Sequence, residues 1–109
     1  MKVCIVGLGL IGGSYAKGLT KKGYEVYGVD KNLKTIEYAK ENGMIVDGYL
    51  DASCCLNFVD LVVICLYPND VIPFIKENLK HFKDGQVITD VCGVKTSICY
   101  EATTIIKNA

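Results

Sequence analysis

Apolar positions along the chain fall into short dense runs, and between the runs they recur at every third or fourth residue. The runs at 2–6, 25–30 and 60–66 read as buried parallel strands, since a sheet covered on both faces needs apolar side chains on both. The stretches at 10–22, 33–41 and 70–82 carry helical spacing. Asn32 stands where the second helix needs an N-cap, Gly43 lies just past its end, and Pro73 fits the first turn of the third helix. A short strand at 45–46 and another at 86–90 complete the set, with Asp51 and Ser53 as caps of a brief turn in the loop 48–57. A last helix begins near Val94 and reaches the chain end. Strict strand–helix alternation with right-handed connections predicts an α/β doubly wound parallel sheet of order 3-2-1-4-5.

Composition narrows the picture without changing it. A chain of 109 residues, half of them hydrophobic, suits one domain spanning 1–109 with a single core. Twelve basic and twelve acidic residues cancel, and no stretch is strongly basic, which argues against nucleic acid and anionic membranes as partners. The apolar run 61–67 is far too short to span a bilayer. Residues 1–11 have the outline of a secretory leader, but four glycines in 7–13 make a poor signal helix. Six cysteines occur without a Cys-x-x-Cys pair, and the one histidine, His81, is remote from all of them in sequence. No metal site is expected, and free, largely buried thiols in a reducing cytoplasm are.

Candidate chemistry concentrates at the first turn. Gly7-Leu8-Gly9-Leu10-Ile11-Gly12 follows a strand and opens a helix, and a second strand ends on Asp30. That order is the Rossmann-type dinucleotide fingerprint. Gly7 makes the turn, Gly9 lets a pyrophosphate approach the backbone, and Gly12 lets the helix lie against the strand. Free N–H groups and the helix dipole then face the phosphates. A carboxylate at Asp30 accepts from ribose hydroxyls and repels a 2′-phosphate, so NAD is expected over NADP, although Lys31 offsets part of that repulsion. Leu66, Tyr67 and Pro68 follow the fourth strand, where a loop can cover a ribose; for Tyr67 plain surface packing is an equal alternative. His81, near the end of the third helix, is expected at the edge opposite the crevice as an exposed residue.

Four segments carry a resemblance to one family. Residues 7–14, Gly43-Met44-Ile45-Val46-Asp47, the strand-to-proline stretch 60–68, and Thr89-Asp90-Val91-Cys92-Gly93-Val94-Lys95 together resemble the prephenate/arogenate dehydrogenases of tyrosine biosynthesis. The resemblance implies an NAD-dependent oxidative decarboxylation: a carbinol carbon gives up a hydride, and loss of carbon dioxide makes the ring aromatic. It places Cys92 beside the cofactor and Gly93 and Lys95 near a small-molecule substrate, with a solvated first-turn lysine the other reading of Lys95. It also implies a catalytic histidine in a His-Pro motif, which has no counterpart in these residues, so no catalytic residue is assigned here. A sixth strand and a helical C-terminal domain that forms a homodimer are likewise absent, and the chain reads as the N-terminal piece of a larger cytoplasmic enzyme, inactive alone. The chain departs from the family at Gly93, where a serine is usual, and at Cys92, where a glycine is. Dehydrogenases of the 3-hydroxyacid or imine reductase type, and a non-catalytic NAD-sensing module, stay open as alternatives.

Overall fold

The computed structural model describes residues 1–83 and 85–90. Five parallel strands form one sheet: β1 (Lys2–Val6), β2 (Glu25–Val29), β3 (Asp47–Tyr49), β4 (Leu61–Ile64) and β5 (Val87–Asp90). Their order is β3-β2-β1-β4-β5, as the alternation predicts. The fold class is therefore the expected Rossmann-like one. Helices α1 (Leu10–Lys21), α2 (Leu33–Glu41) and α3 (Pro68–Glu77) make three of the four crossovers, and a segment with the 3₁₀ turn Ala52–Cys54 joins β3 to β4.

Strand periodicity sorts the core into two layers. Val3 and Ile5 of β1 face one side with Val26 and Val63, where Ala16 of α1 and Ile36 and Ala39 of α2 cover them. Cys4 and Val6 face the other side with Val62 and Ile64, under Val71 and Ile75 of α3 and the segment carrying Ala52, Cys55, Leu56 and Val59. Gln86 fastens that segment: its Nε2 donates to the Leu56 and Val59 carbonyls at 2.7 and 2.8 Å.

Three expectations are corrected. The third strand is 47–49, not 45–46. Ile45 is buried against the helical layer and Val46 is 57% exposed, so the apolar pair mimicked a strand. The actual β3 is an edge strand with half-exposed side chains, defined by pairing Tyr27 with Asp47 and Val29 with Tyr49. The fourth strand is shorter than expected, although Asp60 and Cys65 still donate to Lys2 and Val6 across its ends. The third helix begins two residues early with Pro68 at its first position, which places Pro73 inside the helix instead of in its first turn. It stops at Glu77, and a separate 3₁₀ turn, Leu79–His81, follows. The predicted last helix lies outside the described residues. Among those described, no helix is long and apolar enough to cross a membrane.

Candidate nucleotide-binding site

The glycine turn is shaped by contacts that only hydrogen side chains allow. Gly7 has φ of +93°, and a Cβ there would sit 2.5 Å from the Cys65 carbonyl oxygen. A Cβ on Gly12 would collide with the carbonyl oxygen of Gly7. Small residues thus let α1 press onto the sheet through Gly12, Gly13 and Ala16, and its N-terminus is drawn to the end of β1. Gly9, the N-cap, offers no side-chain cap to the helix, and a Cβ there would meet nothing within 4 Å. The first-turn N–H groups, which have no carbonyl partner within the helix, therefore stand beside open space that an anion can enter.

Asp30 is tied to this turn. Its carboxylate accepts the Leu8 N–H at 2.9 Å and the Asn32 N–H at 2.9 Å, while its own N–H donates to Tyr49. The side chain thus links the glycine turn to the start of α2, and the backbone of the same residue ties both to the end of β3. A carboxylate has about four acceptor positions, so two of them remain for a ligand's hydroxyls.

A groove of about 580 Å³ opens from this point. Gly7, Asp30, Lys31 and Leu66 line it, four of the residues singled out in the sequence. The others take different places. Leu8 turns its side chain inward, 5% exposed, and contributes its backbone N–H to Asp30. Leu10 is 94% exposed and Ile11 projects beside it on the first turn of α1. Tyr67, 81% exposed, is the N-cap of α3, and Pro68 opens that helix. Cys92, Gly93 and Lys95 lie outside the described residues.

The groove also contains residues that sequence reasoning did not place there. Leu50, Ala52 and Ser53 form one wall, and Pro73 and Phe74 of α3 the other. Moving β3 to 47–49 puts Leu50 just past a strand's C-terminal end, where ligands of doubly wound sheets bind, so the misplaced strand hid it. His81 is corrected as well. It is half-buried and lines the far end of the groove, because α3 ends early and the 3₁₀ turn brings it within electrostatic reach of Asp51. The Ser53 backbone N–H, 2.9 Å away, the Ser53 hydroxyl and His81 together hold the Asp51 carboxyl below its usual range.

The family described as "Prephenate dehydrogenase, nucleotide-binding domain" matches residues 15–109. The chain belongs to that family. The matched stretch begins after Gly12, so it is independent of the glycine fingerprint. As a prephenate dehydrogenase nucleotide-binding domain, the chain resembles Synechocystis arogenate dehydrogenase at 31% identity and a TM-score of 0.91, over 96% of this chain and 37% of that one. It resembles the A. aeolicus prephenate dehydrogenase solved with hydroxyphenyl propionate and NAD+ at 28% identity and 0.89, over 97% and 38%. A UDP-N-acetyl-D-mannosamine dehydrogenase of Methanococcus maripaludis is 41% identical over 46 residues, 42% of this chain and 11% of the relative. The chain thus spans little more than a third of the two solved structures and about a tenth of the curated relative.

Proposed function

We propose that this domain is the NAD-binding part of a dehydrogenase that oxidises prephenate or its amino counterpart arogenate, with prephenate the favoured substrate. The observation that carries the reading is the Asp30 carboxylate, fixed at the mouth of the groove by two backbone N–H groups with acceptor capacity to spare. A carboxylate so placed takes up ribose hydroxyls and repels a 2′-phosphate, which favours NAD over NADP. The glycine turn, Gly7 to Gly12, offers backbone N–H groups to the pyrophosphate, and Lys31, Leu66, Tyr67 and Pro68 frame the remaining parts. NAD, when bound, supplies the hydride acceptor. The chain's own residues bind it, orient it and set which nucleotide is accepted. On the family resemblance of residues 89–95 alone, we assign Cys92 to the cofactor and Gly93 and Lys95 to the substrate side.

The general base and the substrate-bearing half come from a further domain, and the complete enzyme is a cytoplasmic homodimer. The A. aeolicus relative, solved with NAD+ and an aromatic acid, supports both the cofactor and the substrate class. The test is a chimera in which this chain replaces the corresponding domain of the Synechocystis enzyme. NADH formation from prephenate or arogenate by the chimera, and none by the isolated chain, is expected. A chimera that binds NAD yet oxidises neither compound contradicts the substrate reading. Turnover by the isolated chain contradicts the division of labour.

A further inference from the structure

Beneath the groove wall that carries Ala52 and Ser53, two thiols meet. Cys4 is the middle residue of β1, and Cys55 closes the 3₁₀ turn Ala52–Cys54. Both are fully buried, and their Sγ atoms are 3.3 Å apart. Apolar neighbours surround them, among them Val6, Val29, Leu56 and Val62. Cys54, next in the chain, is exposed. A disulfide needs the sulfurs at about 2.05 Å, an approach of little more than 1 Å from where they stand.

We propose that Cys4 and Cys55 form a reversible disulfide that clamps this wall of the groove to the central strand, with a small disulfide of the glutathione class as oxidant. Cys55 loses its proton and its thiolate attacks one sulfur of the small disulfide. That S–S bond breaks, and the departing thiolate takes up a proton. Cys4 then loses its proton and attacks the Cys55 sulfur of the mixed disulfide, expelling the second small thiol. Two protein thiols are oxidised to one disulfide, and one small disulfide is reduced to two thiols.

The order of the two steps follows from position. Cys55 sits at the end of a three-residue turn outside the sheet, so the first step requires only that turn to lift, whereas Cys4 is held by ladder partners on both sides in β1. The hydrogen bond between them also holds the Cys55 thiol below its usual range, while that bond and burial push Cys4 up. The thiolate is the attacking form. Because Ala52 and Ser53 of the same turn line the groove, a nucleotide in the groove holds the turn down and slows the first step. This last point rests on the nucleotide reading; the thiol pair does not.

The test is incubation of the reduced chain in glutathione redox buffers, with and without saturating NAD, followed by intact mass and peptide mapping. The expected result is loss of two hydrogens, a Cys4–Cys55 cross-linked peptide reversed by dithiothreitol, and oxidation slowed several-fold by NAD. Cys54→Ser keeps the cross-link, and Cys4→Ala leaves glutathione on Cys55. Glutathione confined to Cys54, or a cross-link that uses Cys54 in place of Cys55, overturns the pair. Equal rates with and without NAD, in a chain whose NAD binding is measured separately, overturn the clamp. Formation of the pair in a chain that binds no NAD upholds the pair and overturns the nucleotide reading.

Discussion

A methyl group on Gly12 has no room, since its Cβ would overlap the Gly7 carbonyl oxygen, while one on Gly9 would project into open space. The two glycines therefore separate packing from ligand approach. Gly12→Ala is expected to lower stability by about 1–3 kcal/mol, the range for overpacking, read as a lower urea midpoint at unchanged slope. Gly9→Ala is expected to cost at most about 1 kcal/mol, the scale of a changed N-cap, yet to weaken NAD binding about tenfold or more, near the 1.4 kcal/mol that a tenfold change represents. Equal stability losses would contradict the packing role of Gly12, and undiminished affinity in Gly9→Ala would place the pyrophosphate elsewhere. The packing role of Gly12 was legible in the sequence, because a strand–turn–helix with three glycines fixes which backbone groups must touch. What Leu8 does was not. Its inward side chain and its bond to Asp30 depend on how the turn meets β2, 22 residues away.

Elements were legible where burial on two faces imposed a pattern. β1, β2 and the helices α1 and α2 lie within a residue of expectation, since apolar spacing and the Asn32 cap, whose side chain accepts the Lys34 N–H at 2.9 Å, mark them. β3 was displaced because an edge strand is held by backbone pairing and carries little apolar signal. α3 was displaced because two prolines competed for its start. Pro68 holds the first position, and Pro73 falls inside the helix, where it has no N–H to give to the carbonyl four residues back. Pro73→Ala is expected to stabilise the chain by about 1 kcal/mol or more, a fraction of the interior proline penalty. Thermal unfolding checks this, and an unchanged or lower midpoint would show that the ring's packing in the groove outweighs the missing bond.

For the whole molecule, the groove is assembled from the ends of β1, β2 and β3, the 3₁₀ turn after β3, and α3. Such a surface exists only after the sheet has brought those pieces together, which explains why His81 and the Leu50–Ser53 wall were not read from sequence while Asp30 was. Acid sensitivity is also a property of the whole. Lys40 and the Gly48 N–H hold the Asp47 carboxyl below its usual range, the Lys2 N–H and Lys83 do the same for Asp60, and Ser53 does so for Asp51. A carboxyl depressed in the folded state adds stability above its unfolded value of about 3.9 and loses it as pH falls through the lower folded value. The unfolding midpoint should thus be lost progressively below about pH 4, and a midpoint unchanged down to about pH 2.5 would contradict the assigned partners. The central claim, that Asp30 makes this groove an NAD site, is tested most directly by calorimetric titration of the chain and of Asp30→Ala with NAD and NADP. The account predicts that NAD binds the chain more tightly than NADP and that the variant loses about tenfold or more in NAD affinity, as expected for hydrogen bonds to a charged group. Equal NAD affinity in chain and variant, or binding of neither nucleotide by the chain, would contradict it.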